Sequence, residues 1–420
     1  MSVFDRLLDT RPLRTSPQFR RLWWGGAVSA LGGQFTVVAV LFQMWQLTTS
    51  PLAVGAVGLV QAISMTTVGL AGGTLADAVD RRKLVLAATT MQLVSVAALA
   101  VHGLTGAESP WVLLGLVALH SAGSGLGAPA RRTFVPRLLP TELVGAGVAL
   151  GNLSFQIAML LGPALAGVLV AQWGVSACYL LDALAFTAVL YAVLRLPSMR
   201  PDGQPSRPGL RAIWRGWRFI AASPVLRGAL LTDVAATVLA MPVGLFPLIN
   251  EQRFGGNPQT LGLFFTAIAI GGIAAGAASG TITRARRTGV VLLAAAGVWG
   301  LALIGFGLAP SPWLALGCLT IAGAADTTSV ITRAAIVQLA TPDSHRGRVS
   351  AVEHIVGASG PEVGNFRAGL AAQATTAAFA AVAGGLMCVV GIAALALTNS
   401  PLRRFSHARP EAALDSRASG

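Results

Sequence analysis

The stretch Gly72-Gly73-Thr74-Leu75-Ala76-Asp77-Ala78-Val79-Asp80-Arg81-Arg82-Lys83 joins two long apolar runs, at 53–76 and 84–105. A helix needs about 20 predominantly apolar residues to cross the hydrocarbon core of a bilayer, and both runs reach that length. Charged side chains are confined to the few residues between the runs, where a chain that leaves the membrane meets water and headgroups. The stretch therefore predicts two membrane-spanning helices with a short charged connection.

The same pattern continues along the whole chain of 420 residues, which is 54% hydrophobic and only 11% charged. A soluble domain carries roughly 25% charged residues, so this chain lacks the usual solvated faces. The apolar runs are rich in Gly and Ala, which allow helices to pack closely in lipid. The sequence predicts an all-α membrane protein with twelve transmembrane helices, at 22–47, 53–76, 84–105, 111–130, 143–170, 175–195, 227–250, 259–282, 289–309, 313–333, 350–371 and 376–397.

Basic residues alternate between the connections in a way that predicts an orientation. Every second connection is basic, and these clusters are Arg81-Arg82-Lys83, Arg131-Arg132 with Arg137, the arginines of 195–227, Arg284 with Arg286-Arg287, and Arg346 with Arg348. The remaining connections hold one basic residue, Arg253. The positive-inside rule therefore predicts that both termini are cytoplasmic. The rule also accounts for the net charge of +14, so no nucleic-acid partner is expected.

The two parts of the chain repeat a spacing. Arg131 stands nine residues before Pro140, which we expect to close the fourth span, and Arg333 stands nine residues before Pro342 at the end of the tenth. Duplicated six-helix halves are typical of secondary transporters, in which the substrate path lies between the halves. The predicted organisation is a cytoplasmic N-terminal segment (1–21), a first half (22–195), a linker with an interfacial helix (196–226), a second half (227–397) and a cytoplasmic tail (398–420).

The connection at 72–83 resembles the signature loop of the major facilitator superfamily, Gly-x-Leu-x-Asp-x-x-x-Arg-Arg/Lys, although Asp80 stands where the family has glycine. We expect Gly73 to let a neighbouring helix approach closely, and Arg81 to Lys83 to hold the loop at anionic headgroups. The resemblance implies the major-facilitator fold. It also implies that Asp77 latches the cytoplasmic side closed, with Arg131 or Arg132 as its partner in the first half.

Two further resemblances point to export. Gly162-Pro163-Ala164-Leu165-Ala166-Gly167 is similar to the Gly-Pro-x-x-x-Gly element of exporters in this superfamily, and Pro163 with Gly162 and Gly167 favours a bend in the helix. Segments of the second half, among them Gly323 to Asp326, Arg346 to Ser350 and Phe366 to Gly369, resemble the bacterial enterobactin-exporter-like branch. That branch usually has an Asn and a second Glu around Glu362, where this chain has Pro361 and Asn365.

Ionisable residues within the apolar runs are candidates for proton or substrate coupling, because charge inside a membrane is costly. A hydrogen bond between helices is the structural alternative for each. These candidates are Asp182, Asp233, Asp326, Arg333, Glu362 and Arg367. We expect Arg333 to snorkel to the interface and Arg367 to pair with a carboxylate or an anionic substrate. Glu353 lies nearer the membrane surface, which favours a structural or gating role.

Together these features predict a proton-coupled secondary transporter that exports a small amphipathic molecule, either a siderophore or a drug, by alternating access. An importer of the same fold and a transport-inactive sensor or scaffold are the alternatives. The chain has no GK[ST] phosphate loop, no HExxH, and only three isolated cysteines, so no enzyme activity, cofactor or metal is expected. The expected partners are the substrate, protons and the lipid bilayer. We expect a monomer in the bacterial cytoplasmic membrane.

Overall fold

Five Ser-Pro pairs mark helix starts. In each pair the serine side chain accepts a hydrogen bond from the backbone N–H three residues later, and proline occupies the first helical position. Proline is suited to that position because its missing N–H would have no partner inside the helix, and the serine satisfies one of the remaining free N–H groups. These pairs are Ser16-Pro17, Ser50-Pro51, Ser109-Pro110, Ser223-Pro224 and Ser311-Pro312.

The computed structural model describes residues 9–106, 108–200, 210–280, 287–342 and 345–406. Each of the twelve predicted runs falls largely on one helix, and these helices are labelled in chain order. They are α1 Pro17–Thr48, α2 Pro51–Ala78, α3 Arg81–Leu104, α4 Pro110–Arg131, α5 Thr141–Trp173, α6 Val175–Leu194, α7 in two parts (α7a Pro224–Ala240 and α7b Phe246–Phe254), α8 Pro258–Ala277, α9 Thr288–Leu308, α10 Pro312–Ala340, α11 Arg346–Ala374 and α12 Ala377–Thr398.

Some predicted features lie outside the described residues. They are the linker start at 201–209, Arg284 and Arg286 of one basic connection, Asp343 and Ser344 after Pro342, residues 1–8, and the tail from 407. The linker contains a helix at Leu210–Ala222, and its place in the membrane interface stays a prediction. Ile220 is buried there, whereas Trp214 and Trp217 are exposed. An amphipathic helix of this kind is typical of the membrane interface.

The described part of the chain contains eleven helices that are long and apolar enough to cross a membrane. Large apolar side chains such as Leu184, Leu308 and Val390 are exposed on them, which fits contact with lipid rather than water. α11 has 29 residues but is not among the eleven, because it carries charged residues such as Glu353, Glu362 and Arg367. The α-helical membrane fold is confirmed, and the count of twelve spans stays a prediction that depends on α11.

The seventh helix is interrupted. α7a ends at Ala240, a short 3₁₀ turn follows at Val243–Leu245, and α7b begins at Phe246. The predicted span at 227–250 is present as Pro224–Phe254, and the structure adds a break inside it. Pro242 has no N–H to continue the helix, and the residue before a proline is disfavoured in the helical region. Met241 is accordingly extended, with φ −71° and ψ 122°.

Contacts divide the chain into two compact units. Unit 1 combines Met1–Arg207 with Phe246–Thr266, and unit 2 combines Pro208–Leu245 with Ala267–Gly420. The chain therefore passes from unit 2 to unit 1 at the break in α7. Phe246–Thr266 lies within the second half predicted from the sequence, yet it packs with unit 1.

Glycines allow close helix packing within each unit. A methyl group at Gly72 would lie 2.6 Å from the carbonyl oxygen of Leu126 in α4, which shows how closely α2 approaches that helix. At Gly73 a methyl group would meet no atom within 4 Å. The prediction that Gly73 provides the close approach is therefore wrong, and Gly72 provides it. In unit 2, Gly300 of α9 and Gly385 of α12 face each other's backbone in the same way.

The two repeats end differently. α4 ends at Arg131, a short helix follows at Phe134–Leu138, and Pro140 is the N-cap residue of α5. The prediction that Pro140 closes the fourth span is therefore wrong. In the second repeat, α10 continues through Arg333 to Ala340. Equal spacing from arginine to proline does not produce equal helix ends.

Candidate gating and coupling sites

Asp80 connects the loop between α2 and α3 to the segment after α6. Its carboxylate accepts hydrogen bonds from the Ser198 hydroxyl (2.7 Å) and the Met199 N–H (3.0 Å), and it caps α3 through the Arg82 N–H (2.9 Å). Partial burial raises the pKa of Asp80, but these hydrogen bonds and the charge of Lys83 outweigh it and hold the pKa below the ordinary value. The residue that departs from the family pattern thus fixes the start of the linker.

The predicted gating aspartate, Asp77, lies near the end of α2. Its Oδ1 is 4.0 Å from Nη2 of Arg81, one helical turn away. Arg82 turns to the end of α6, where it donates to the carbonyl oxygens of Val193 (3.3 Å) and Leu194 (2.6 Å). These carbonyls have no partner within the helix, and a cation is favourable at a helix C-terminus. Arg82 therefore caps α6, and contact of Arg81 to Lys83 with headgroups stays a prediction.

The two predicted arginine partners at the end of α4 differ in environment. The Arg131 guanidinium donates to Oε1 of Gln92 (2.5 Å) and to the Thr89 hydroxyl (3.4 Å), both on α3. Arg132 is exposed. Arg131 thus binds polar side chains of α3, and the roles of Asp77 and Arg132 in gating stay predictions.

The Gly162-Pro163 element is a packing surface of α5 within unit 1. α5 runs through Pro163 without interruption. A methyl group at Gly167 would lie 2.5 Å from the Pro258 carbonyl oxygen, and one at Gly162 would lie 2.5 Å from the Gln34 side chain. Gly262 of α8 approaches the Pro163 carbonyl closely in turn. The element therefore holds Phe246–Thr266 against α5.

Asp182 lies buried between α6 and α1. Its Oδ2 accepts a hydrogen bond of 2.6 Å from the Thr36 hydroxyl, while its Oδ1 has no hydrogen-bond partner within the described part of the chain. Gly32 faces that oxygen, and a methyl group there would lie 2.5 Å from it. Asp182 therefore links α6 to α1 through a single hydrogen bond.

Asp233, Arg333 and Glu353 form one charged cluster in unit 2. Arg333 of α10 makes an ion pair with Asp233 of α7a, and its Nε lies 4.0 Å from Oε1 of Glu353 in α11. The side chains of Arg333 and Asp233 are only 14% and 10% exposed. The prediction that Arg333 snorkels to the interface is therefore wrong, because it serves two carboxylates inside the bundle.

Asp326 differs from the other acids of unit 2. It is partly buried in α10, seven residues before Arg333. Within the described ranges it has no hydrogen bond or ion pair with another residue. A carboxyl group without a protein partner is free to bind a proton or a cationic group of a ligand.

Glu362, Asn365 and Arg367 lie on α11 beside the break in α7. Asn365 donates from Nδ2 to Oε2 of Glu362 (3.3 Å) and accepts at Oδ1 from the Gly244 N–H (2.9 Å). Arg367 donates from Nε to the Val238 carbonyl oxygen (3.0 Å). Within the described residues Arg367 thus binds a carbonyl that the break leaves without a helical partner, and not a carboxylate. Its pairing with an anionic substrate stays a prediction.

Several residues of these sites carried no signal that the sequence analysis used. Thr36 and Gly262 contribute through contacts with residues more than ninety positions away. The break at Met241-Pro242 was visible as a proline followed by Gly244 in an apolar run. The described residues contain no group of three or more His, Cys, Asp or Glu arranged to hold a metal ion. What they offer chemically is a small set of carboxyl groups within the helices, at Asp182, Asp233, Asp326 and Glu362.

Comparisons with known proteins agree with this architecture. A family model described as transmembrane secretion effector matches residues 9–417. The enterobactin exporter EntS of Citrobacter koseri is 27% identical over 405 residues, which cover 96% of this chain and 97% of that protein. Among solved structures, a mutant of the nucleoside transporter NupG superposes with a TM-score of 0.74 at 13% identity, covering 90% of this chain and 99% of that one.

A second solved structure is a bacterial homologue of the iron transporter ferroportin. It superposes with a TM-score of 0.69 at 17% identity, covering 90% of this chain and 98% of that one. At such identities the structural likeness shows the fold alone, which is that of major-facilitator transporters.

Proposed function

The chain belongs to the transmembrane secretion effector family, and on that premise we propose that it is a proton-coupled exporter of a siderophore or a similar small amphipathic molecule. It is a multi-pass membrane transporter of the major-facilitator type, and its relatives are exporters. Because its relatives are exporters, we favour export over the two alternative functions, import and a transport-inactive scaffold. The substrate class and the proton coupling are our proposal.

One observation carries the substrate class. The likeness to enterobactin exporters extends over 96% of this chain and 97% of the relative, so it includes both units and every site described above. Siderophores and many drugs share a polar metal-binding or charged part with an apolar scaffold. A path lined by few charged groups within apolar helices suits such molecules.

The surroundings of three acids separate two candidate proton carriers from one acid that is held in an ion pair. Asp326 has no partner within the described ranges, Glu362 has one hydrogen bond from Asn365, and Asp233 shares Arg333 with Glu353. Burial disfavours the charged form of a carboxyl group, while a nearby cation favours it. Asp326 and Glu362 are therefore the proposed proton carriers, and Asp233 holds Arg333 in place.

Asp77 is the proposed gating residue. An aspartate near the end of a helix can hold or release a cation or a helix N-terminus without contributing to membrane insertion. Asp77→Asn should therefore impair export while the chain still inserts into the membrane. Export at the wild-type rate by this variant would show that Asp77 does not gate transport.

The remaining assignments follow from the same proposal. We propose that both termini are cytoplasmic, that the chain works as a monomer in the bacterial cytoplasmic membrane, and that it catalyses no chemical reaction. The basic connections support the orientation, because positive charge is retained on the cytoplasmic side.

Export from cells tests the substrate class. The chain is expressed in a bacterial strain that synthesises enterobactin but lacks its exporter, and enterobactin in the medium is measured. We expect wild type to restore secretion and Asp326→Asn to lose most of it at equal membrane abundance. Wild-type protein that is abundant in the membrane yet secretes neither enterobactin nor a panel of amphipathic drugs would contradict the proposal.

A further inference from the structure

Two residues of α11 stabilise the break in α7. Where a helix stops, the preceding carbonyl groups and the following N–H groups lose their partners. In a membrane those groups must be satisfied within the protein. Asn365 accepts the Gly244 N–H after the break, and Arg367 donates to the Val238 carbonyl before it. α11 therefore holds both sides of the break.

Asn365 also connects the break to an acid. Because its Oδ1 accepts the Gly244 N–H, its Nδ2 group necessarily faces the Glu362 carboxylate, which fixes the orientation of the amide. The Asn365 side chain is buried, with 7% exposure, so water does not readily replace either bond. A change at Glu362 thus acts on Gly244 through one side chain.

Other charged groups near α11 are engaged elsewhere. Asp233 of α7a pairs with Arg333 of α10, Glu353 also lies beside Arg333, and Arg367 binds the Val238 carbonyl. α12, which packs on α11, contains no Asp, Glu, Lys, Arg or His. The helix Leu210–Ala222 meets α11 at Arg348, several turns before Glu362. Among the described residues, Asn365 is therefore the polar group that contacts the Glu362 carboxylate directly.

The break coincides with a boundary between the two compact units along the chain. The chain passes from unit 2 to unit 1 between Leu245 and Phe246. The segment that follows, Phe246–Thr266, packs in unit 1 against Pro163 and Gly167 of α5. Val243–Leu245 is therefore the last stretch of unit 2 before the chain enters unit 1.

We infer that Asn365 is a positioning residue that couples the charge of Glu362 to the break in α7. A charged carboxylate holds the Asn365 amide firmly, since charge-assisted hydrogen bonds are stronger than neutral ones. When Glu362 binds a proton, its carboxyl group becomes a donor that competes with Gly244 for Oδ1. The Gly244 bond then weakens and the break at Val243–Leu245 loosens. This coupling rests on the proposed proton-driven function.

Hydrogen exchange of the full chain in lipid nanodiscs at pH 8 tests the coupling. The amides of residues 243–246 are followed in wild type, in Glu362→Gln, which mimics the protonated acid, in Asn365→Ala and in the double variant. We expect each single variant to lower protection about tenfold, the size of one hydrogen bond. The double variant should lower it no further, because both changes break the same connection.

Asn250 provides a matched control. It is also a buried asparagine, with 1% exposure, and its Nδ2 donates to the Asn257 carbonyl. The effects of Asn250→Ala and Glu362→Gln should simply add. Wild-type protection of the 243–246 amides in Glu362→Gln would overturn the inference. Additive losses of protection in the Glu362–Asn365 double variant would also overturn it. If Asn365→Ala does not fold, the protection measured in Glu362→Gln is sufficient for the decision. Exchange needs no substrate, so coupled exchange without any export contradicts only the proposed function.

Discussion

The charged cluster of unit 2 predicts unequal effects for its two central residues. Arg333→Gln removes the cation from both Asp233 and Glu353, whereas Asp233→Asn leaves Arg333 with Glu353 at 4.0 Å. Removing one partner of a buried ion pair costs about 3–5 kcal/mol, and Asp233 is only 10% exposed. At 4 Å and an effective dielectric constant of about 20, the remaining carboxylate still attracts Arg333 by about 4 kcal/mol before desolvation.

We therefore expect Arg333→Gln to lower the free energy of unfolding by about 3–5 kcal/mol. Asp233→Asn should lower it by only about 1–2 kcal/mol, because the Arg333 guanidinium can still donate to the neutral amide oxygen and keeps Glu353 as its anionic partner. Reversible unfolding of the purified chain in bicelles measures both values. Arg11→Gln is the control, because Arg11 pairs with Asp9 at an exposed site and should change nothing measurable. Equal losses for the two variants, or a loss below about 1 kcal/mol for Arg333→Gln, would refute the reasoning.

Three further predictions concern packing and the linker. Gly262→Ala should destabilise the chain by about 1–3 kcal/mol, because a methyl group overlaps a backbone carbonyl. Gly276 on the same helix has open space around it, so Gly276→Ala should leave stability unchanged or raise it in the same unfolding assay. Gly72→Ala should reduce stability more than Gly73→Ala in thermal unfolding. The reverse order would show that Gly73, as the family pattern predicts, provides the close helix approach. Asp80→Gly should speed proteolysis after α6. The pKa of Asp80 is lowered in the folded chain. Resistance of the wild-type segment after α6 to proteolysis should therefore be full above the unfolded pKa of about 3.9 and be lost as pH falls through the lowered pKa. Wild-type resistance that persists in acid, or in Asp80→Gly, would contradict this role.

The sequence predicted the helices well because most of them are long and apolar, and several begin at a Ser-Pro pair. The family and the export function also followed from local motifs, such as the loop around Asp77 and the Gly-Pro element at 162–167. These features depend on neighbouring residues in the chain. They can be found without knowing which helices touch.

The partners of the buried polar groups could not be predicted in the same way. Asp182 binds Thr36 across 146 positions, and Asn365 binds Gly244 across 121. Helical spacing shows which residues share a face but not which helix covers it. Arg333 illustrates the consequence, because a long basic side chain near a helix end fits both snorkelling and an internal ion pair, and only the position of Asp233 decides between them.

The break in α7 shows a different limit. Pro242 was visible, but prolines also occur inside continuous helices, as Pro163 does in α5. The difference is that α11 supplies partners for the groups freed at Val238 and Gly244, whereas α5 keeps its helical path. Whether a proline bends or breaks a helix thus depends on residues more than a hundred positions away.

Proton flux in reconstituted vesicles tests the central claim most directly. The purified chain is incorporated into proteoliposomes that contain a pH-sensitive dye, and enterobactin is added on one side. The account predicts proton movement that starts with substrate, is absent from empty vesicles, and is lost in the Asp326→Asn and Glu362→Gln double variant. Substrate transport without proton movement, or proton movement that is unchanged in the double variant, would contradict it.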